Sequence, residues 1–332
     1  MIKRISLVIL AFALSVLAFQ ALPVHPSRAA VTTWDLKLMG IQENPPVLDD
    51  AAGGTVHLTF DDATRILSYS INVSGVGPEL VLAGHIHAGP APVGVNTAPK
   101  YPLLDKGQTY ASGKVTIDAA DVPALLAGDL YINVHTIAHP DGAARAQIES
   151  TIKTIFRLDL AARNRGDIAT LMSLYTDDAV QPSSGPVTNN LCTVSACVGK
   201  ADIQRQAENA IANHVQLTIV GQPEISGNVV TARVEFRNDP TRAAGFDRQI
   251  FLHTRTFRGD KISIFSGEAD LTDAQTAAFR ASQAAAAPAV RPPSTGDAGL
   301  VANQSGQGRL PEFAGLLLCV GSAGLLLTRR RI

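Results

Sequence analysis

Hydrophobic and polar residues alternate along the first half of the chain, which is the pattern of half-buried β-strands. From Gly54 to Phe60, threonine and histidine alternate with valine, leucine and phenylalanine. Turn signals such as Gly75-Val76-Gly77-Pro78 separate the segments. The pattern predicts an all-β antiparallel sandwich or barrel over residues 31–150. The predicted elements are strands Gly54–Phe60, Ile66–Val73, Gly84–Ala88, Gly113–Ile117, Asp129–His135 and Ala144–Ser150, and one helix, Ala119–Leu126.

The period changes at Thr151, where apolar residues begin to recur at helical spacing. Helical segments come first and strand-like segments follow, which predicts a second, α+β domain over residues 151–286. Its predicted helices are Thr151–Asn164, a helix capped by Asp167 that runs through Leu174, Lys200–Asn213 and Leu271–Ala286, and its predicted strands are Val215–Ile225, Val229–Arg237, Arg248–Phe257 and Lys261–Ala269.

The N-terminus has the pattern of a secretory signal peptide over residues 1–30. Lys3 and Arg4 precede the apolar stretch Ile5–Leu22, and Ser27-Arg28-Ala29 offers a small-x-small cleavage site. An uncleaved anchor is the alternative, which the prolines after Leu22 disfavour. We therefore expect export of the chain.

A second apolar run lies near the C-terminus. Phe313–Thr328 is followed at once by Arg329-Arg330-Arg331. Counted from Leu310 at about 1.5 Å per residue, the run approaches the roughly 30 Å thickness of a bilayer core, with the arginines on the cytoplasmic side. It predicts a transmembrane helix or sorting tail at residues 310–332. Residues 287–309, rich in Pro, Gly, Ser and Ala, are predicted to form a flexible linker.

Composition narrows the class of partner. The chain has 46% hydrophobic residues and a formal net charge of −1, as ordinary globular proteins do. Without a basic cluster before the tail, nucleic-acid binding is excluded.

Of the 3 cysteines, Cys319 lies in the apolar tail, whereas Cys192 and Cys197 form a close pair. A local disulfide is expected for that pair, because a thiol metal site lacks further ligands nearby.

Histidines are concentrated in two similar segments, HIHAGP at His85–Pro90 and NVHTIAHPDG at Asn133–Gly142. Side chains two apart on a strand point to one face, so His85 and His87 share a face. Zinc and copper favour imidazole nitrogen, which makes a zinc or copper site one interpretation. Packing of the two turns is the favoured interpretation, and a ligand surface is the third. The four candidate metal ligands are His85, His87, His135 and His139.

The first domain resembles the chordin-type (CHRD) family in four motifs. One departure concerns the family ending Gly-Glu-Ile-Arg-Gly-Gln, which is here Gly142-Ala143-Ala144-Arg145-Ala146-Gln147, so a role for that carboxylate is not carried over. The resemblance implies an immunoglobulin-like or barrel-like all-β fold, which in animal chordin belongs to a secreted growth-factor antagonist. The matching motifs are Gly40-Ile41-Gln42-Glu43-Asn44-Pro45-Pro46, Leu67-Ser68-Tyr69, His85–Pro90 and Leu130–Thr136.

The second domain resembles the SnoaL-like, nuclear-transport-factor-two-like superfamily. The motifs are Ala162–Asp167, Leu174–Val180 and Val198–Ile203. The resemblance implies a cone-shaped α+β fold with a pocket between sheet and helices, and homodimerisation through the sheets. Because the superfamily contains isomerases, cyclases, hydrolases and non-catalytic binders, it does not decide the function.

Polar residues of this second domain are candidates for acid–base catalysis. A histidine beside a carboxylate can move protons on a small organic substrate. Alternating charges on an antiparallel sheet are, however, typical of its solvated face. Catalysis therefore requires His253 to face inward, into a mostly apolar pocket. The catalytic candidates are His253, Glu235, Asp178 and Tyr175, with Arg233 and Arg255 as further polar neighbours.

These patterns together predict an exported, membrane-tethered, two-domain protein that binds an extracellular ligand without catalysis. The ligand class, whether protein, glycan or small molecule, stays open, and the prediction needs no cofactor. One alternative is zinc or copper binding at the first domain's histidines. The other is an isomerase or hydrolase activity of the SnoaL-like domain.

Overall fold

The computed structural model describes residues 30–182 and 196–286. Two β-sheets organise this part of the chain, and the first is built from residues 31–147. Its elements are β1 Val31–Met39, β2 Gly53–Asp61, β3 Ile66–Ser74, β4 Val81–His87, β5 Pro99–Leu104, β6 Tyr110–Thr116, α1 Val122–Ala127, β7 Tyr131–Thr136 and β8 Ala144–Gln147.

The first sheet is an antiparallel, nearly closed barrel. Its eight strands follow the order β5-β4-β7-β8-β1-β2-β3-β6. The two edge strands, β5 and β6, contact each other, so the sheet curls round a single apolar core. Period-two alternation explains this core, because Val56, Leu58 and Phe60 of β2 are buried while the residues between them face outward. The expected all-β architecture of this region is confirmed.

Strands β4 and β7 depart from the simple alternation because both of their faces are covered. Ile86 and Ile132 belong to the apolar core. The opposite face holds His87 and Asn133, which are also buried. Hydrogen bonds from these polar residues reach the turn after β1 and the segment that joins β4 to β5. A polar yet buried face is thereby created on the outside of the barrel.

The second sheet uses the remaining described residues. Its six strands follow the order β10-β9-β14-β13-β12-β11, in which only the β9–β14 pair is parallel. The elements are α2 Thr151–Arg165, α3 Ile168–Ser173, β9 Tyr175–Pro182, β10 Ala196–Val198, α4 Lys200–Ala212, β11 Gln216–Ser226, β12 Val229–Arg237, α5 Asp239–Ala243, β13 Gln249–Arg258, β14 Lys261–Ala269 and α6 Ala274–Ala286.

Local chemistry sets the predicted helix boundaries. Helix α2 ends where Gly166 adopts the left-handed conformation at φ 72°. Asp167 then caps α3 by accepting a hydrogen bond from the backbone N–H of Thr170 at 3.0 Å. Directly after this helix, the segment from Tyr175 to Asp178 begins strand β9, which the sequence pattern did not predict.

The two sheets also contact each other. Ile41, from the turn after β1, packs into the apolar cluster of the second sheet. Lys37 Nζ lies 3.0 Å from Asp260 Oδ2 across the same boundary. The division into two domains at residue 150 therefore stays a prediction.

Membrane attachment requires a correction. Within residues 30–182 and 196–286, no helix is both long enough and apolar enough to span a bilayer. This finding counts against attachment to the membrane through a C-terminal helix, which we withdraw. The segment predicted for it, residues 310–332, lies outside the described residues, as do the predicted linker at 287–309 and residues 1–29 of the predicted signal peptide.

Candidate metal centre

Three of the four candidate histidines converge on the polar face of the barrel. His85, His87 and His135 each offer a ring nitrogen, and these nitrogens lie within 4.8 Å of one another. The ring centroids are 5.3 Å apart for His85 and His135 and 5.6 Å apart for His87 and His135. Strand pairing produces this arrangement, because His135 on β7 lies opposite Ala83 on β4, two residues before His85.

Backbone carbonyls orient two of the three rings. His87 Nδ1 lies 2.7 Å from the carbonyl oxygen of Thr97, and His135 Nδ1 lies 2.9 Å from that of Pro140. A carbonyl can only accept, so both rings carry their proton on Nδ1. Their Nε2 atoms are buried without a hydrogen-bond partner. A lone pair on Nε2 with Nδ1–H donating to a carbonyl is the arrangement usual for metal-bound histidine.

The protonation of the site also suits metal binding. The pKa of His87 is lowered to about 4, mainly by burial and also by the neighbouring His135, His85 and Arg145, against the opposing effect of the Thr97 carbonyl. Burial, then His135, lowers the pKa of His85 below its usual 6.5. Its Nδ1 is buried without a partner. Because metal ligation needs neutral imidazole, both side chains are ready to bind at neutral pH.

His139 does not join the other three. Its Nε2 lies 3.1 Å from Asp50 Oδ2, and its backbone N–H donates to Thr136 Oγ1 at 3.1 Å. This histidine stabilises the turn that follows β7, as the packing interpretation expects. The predicted ligand set is thus reduced from four histidines to three.

The spacing of the triad leaves room for an ion. Nitrogens round a tetrahedral zinc, with bonds of about 2.0–2.1 Å, lie about 3.4 Å apart. The nitrogens of the triad lie up to 4.8 Å apart, so the rings must rotate to bring them to the distances of a bound ion. His85 and His135 are partly exposed, which gives the ion a path inward, whereas His87 is buried.

Two oxygen-bearing side chains adjoin the triad. Asn133 lies directly opposite His85 and donates from Nδ2 to Glu43 Oε2 at 3.2 Å. Asn133 Oδ1 and Glu43 Oε1 are both buried without a partner. Burial raises the pKa of Glu43 to about 8, against the charge of Arg145 and the Asn133 bond. Both residues belong to the CHRD-like motifs, but the sequence alone assigned them no role.

Arg145 holds the segment that covers this face. The guanidinium lies 3.5 Å from the ring centroid of Tyr131, whose ring stacks on His87 at 4.6 Å. It donates to the carbonyl of Val95 at 3.0 Å and to Gln147 Oε1 at 2.7 Å. Burial lowers its pKa to about 10. The sequence alone assigned Arg145 no role, although it lies in the motif Gly142–Gln147 that departs from the CHRD family ending.

The catalytic candidates of the second sheet are divided between its two faces. His253 faces inward and is buried, with Phe265 and Phe251 at ring distances of 5.4 Å and 6.0 Å. Burial, reinforced by Arg255, lowers its pKa well below 6.5. Tyr175 is buried too, and donates to Asp159 Oδ1 at 2.8 Å.

The predicted carboxylates do not meet His253. Ala232 is its partner on β12, so Glu235, three residues further, points to the other face, where it pairs with Arg237 at 2.7 Å. Asp178 pairs with Arg258 at the surface, at 3.0 Å. Arg233 likewise pairs with Asp270 at 2.9 Å. The expected acid–base pair is therefore not assembled from these residues.

A different carboxylate is buried in this interior. Asp159 is fully buried and accepts from Arg255 Nε at 3.0 Å and from Arg163 Nε at 3.2 Å. Burial raises its pKa, but the two guanidiniums outweigh that effect and hold the pKa at about 2. Fully engaged in these bonds, the carboxylate stabilises the interior.

The structure describes one cysteine of the predicted disulfide, Cys197. Cys197 is buried and disulfide-bonded. Cys192 and Cys319 lie outside the described residues. The pairing of Cys192 with Cys197 therefore stays a prediction.

Several solved structures are similar to part of this chain. An uncharacterized cystatin-fold protein from Novosphingobium aromaticivorans is 22% identical, with 36% of this chain and 97% of that chain covered and a TM-score of 0.30. An NTF2-like protein of unknown function from Cytophaga hutchinsonii is 9% identical, covering 36% and 91%, with a TM-score of 0.29. A protein of unknown function with a cystatin-like fold from Xanthomonas campestris is 20% identical, covering 39% and 97%, with a TM-score of 0.32.

At such identities and TM-scores, these likenesses carry no argument about function, and the SnoaL-like resemblance stays a prediction. No curated protein matches the chain significantly. The family model of the CHRD domain matches residues 35–148. The stretch that holds His85, His87 and His135 is thus similar to the CHRD domain, as its motifs indicate.

Proposed function

We propose that the CHRD-like region is a binding domain that takes up one zinc or copper ion on His85, His87 and His135. One observation carries the proposal: three imidazole nitrogens lie within 4.8 Å of one another on one sheet face. Each of these rings has a buried nitrogen without a partner.

The energetics favour this role over packing alone. The Nδ1 atoms of His87 and His135 already make the hydrogen bonds to the backbone carbonyls of the two turns. Packing of the turns therefore gives the Nε2 atoms no role. A buried polar atom without a partner costs about 1–3 kcal/mol, so three of them together destabilise the metal-free protein. A bound ion removes that cost by accepting all three lone pairs.

The donor set defines the class of ion. Neutral imidazole suits zinc and copper, whereas calcium and magnesium prefer oxygen ligands. The isomerase or hydrolase alternative is not proposed, because Glu235 lies on the opposite sheet face from His253 and Asp178 pairs with Arg258 at the surface. We also propose export, for which the signal-peptide pattern of residues 1–30 is the support.

Metal titration of the chelator-treated, full-length chain tests the proposal. We expect one zinc or copper ion per chain by calorimetry and metal analysis. His85→Ala, His87→Ala and His135→Ala should each weaken binding at least tenfold. His139→Ala is the matched control and should leave the affinity unchanged, because His139 pairs with Asp50 instead. Substoichiometric binding of both ions would overturn the proposal. So would an affinity in the three variants equal to that of the unchanged protein.

A further inference from the structure

The histidine triad leaves a coordination position open. Among the described residues, no fourth histidine, cysteine, aspartate or glutamate joins the group of His85, His87 and His135. Zinc sites with three protein ligands characteristically complete a tetrahedron with water or an outside ligand, whereas structural zinc sites have four protein ligands. Three neutral ligands also leave both positive charges of a divalent ion uncompensated. A fourth ligand that is polar or anionic is therefore favoured.

Asn133 lies where it can contact that fourth ligand. It is the direct cross-strand partner of His85 and lies two residues before His135, so its side chain shares their face. The side chain is only 3% exposed, and its Oδ1 is buried without a partner.

The other end of the Asn133 amide is fixed. Its Nδ2 donates to Glu43 Oε2 at 3.2 Å and lies 3.5 Å from the Asp141 carbonyl. The Asp141 carbonyl can only accept, which assigns the amide so that Oδ1 is the free acceptor. A metal-bound water is a donor, so it matches Oδ1, and a bare anion does not.

The surroundings offer further partners for water. Glu43 Oε1 and Thr97 Oγ1 are also buried without a partner. A buried water typically makes about 2–4 hydrogen bonds to such groups. Asn133 pairs across the strands with His85, the Thr97 carbonyl accepts from His87, and Glu43 contacts Asn133. Unpartnered polar atoms on these three neighbours of the triad are the features of a hydrated ion rather than of a dry packed core.

We infer that the metal bound by the triad carries an exchangeable water, that Asn133 Oδ1 accepts a hydrogen bond from this water, and that small monodentate anions replace it. This inference rests on the proposed function and extends it from metal binding to ligand exchange at the ion. The partly exposed His85 and His135 mark the side from which an anion enters.

Spectroscopy of the cobalt(II)-loaded full-length protein, with azide as the probe, tests the inference. We expect the visible absorption of the bound cobalt to change with azide, saturating at one azide per ion. Asn133→Asp should weaken azide binding at least tenfold, because a carboxylate would face the bound anion. Asn133→Ala should tighten azide binding about three- to tenfold, because it removes an acceptor worth about 1 kcal/mol that favours water over azide.

Asn72→Asp is the matched control, since Asn72 is exposed on β3 and gains the same charge away from the triad. Its azide affinity should equal that of the unchanged protein. If cobalt does not bind, the proposed metal site itself fails. If cobalt binds but azide leaves the spectrum unchanged, the coordination is closed and only the present inference is overturned. Equal azide affinities in Asn133→Asp, Asn133→Ala and the control would also overturn it.

Discussion

His87 Nδ1 lies 2.7 Å from the carbonyl oxygen of Thr97, ten residues further along the chain. This contact ties the ring to the segment between β4 and β5 and fixes its tautomer. We predict that nitrogen NMR of the metal-free protein shows His87 protonated on Nδ1 and bare on Nε2 at neutral pH. Zinc should then shift the Nε2 resonance and leave the Nδ1 proton in place. A neutral ring protonated on Nε2 would contradict the assigned geometry.

The pKa of the same ring predicts how stability depends on pH. His87 has a pKa of about 4 in the folded protein against 6.5 ordinarily. Between these values the unfolded chain binds a proton that the folded chain does not, so lowering the pH through this window destabilises the metal-free protein. The contribution of His87 is complete above about pH 6.5 and is lost towards pH 4.

Urea denaturation of the metal-free protein from pH 8 to pH 4 measures this dependence. His87→Gln should flatten the loss of unfolding free energy in that window. His57→Gln is the control, because His57 is an exposed residue of β2 paired with Asp35 and lies outside the triad. A pH profile of His87→Gln that matches that of the unchanged protein would contradict the assigned role of burial.

Gly142 makes a third prediction, since its backbone is held against the polar face. Its φ is +141°, and a Cβ there would lie 2.4 Å from Asn133 Nδ2 and 2.7 Å from Glu43 Oε2. Gly142→Ala should therefore lower the unfolding free energy by about 2 kcal/mol or more, through strain and displacement of Asn133. Gly107→Ala is the matched control, because Gly107 also has a positive φ, +80°, but nothing lies within 4 Å.

Denaturation and zinc titration of both glycine variants separate the two effects. The control should lose about 1 kcal/mol and keep its zinc affinity, because it carries backbone strain alone. Gly142→Ala should lose zinc affinity as well. Equal losses in the two variants would show that the contact with Asn133 is unimportant.

Sequence periodicity recovered most of the fold but only part of the site. The alternation of β2 and the caps of α2 and α3 are local signals, so their elements were predictable. Strand β1 was not, although it lies at the middle of the barrel between β8 and β2. Strand β9 was also missed, because its parallel pairing with β14 depends on a partner more than eighty residues away.

The site shows the same division between local and distant information. Period two placed His85 and His87 on one face, and the shared HIH and NVH sequences suggested His135. Glu43 and Arg145 were beyond such reasoning, because only the folding of the turn after β1 and of β8 brings them to β7. His139 was assigned to the site by proximity in sequence, yet the turn after β7 carries it to Asp50.

Arg145 provides a fourth prediction, about the segment that covers the triad. The residue is 1% exposed, and its guanidinium binds the Val95 carbonyl and Gln147 while stacking on Tyr131. Lysine cannot reproduce this planar fork. Arg145→Lys should therefore lower the unfolding free energy by about 3 kcal/mol, because several buried acceptors lose their donor.

Limited proteolysis distinguishes a local effect of Arg145 from a global one. Cleavage between Ala91 and Asn96 should appear in Arg145→Lys under conditions in which the unchanged protein is resistant. Zinc affinity should fall at the same time, because Thr97, which orients His87, follows this segment. Arg205→Lys on the exposed face of α4 is the control and should change neither readout. If Arg145→Lys resists proteolysis as well as the control does, Arg145 does not hold this segment in place.

Asp159 yields the last prediction and tests the second sheet independently of the metal site. Its carboxylate is fully buried between Arg163 and Arg255, and the pKa of about 2 keeps it ionised above that pH. Asp159→Asn removes the negative charge and leaves two guanidiniums facing each other, which should cost about 3–5 kcal/mol. Asp202→Asn, whose partner Arg205 is 52% exposed, should cost less than about 1 kcal/mol. Urea denaturation measures both, and zinc titration should show unchanged affinity in each folded variant, since neither residue contacts the triad. A loss in Asp159→Asn no larger than in Asp202→Asn would mean that the buried charges are solvated, so that this interior is open to water.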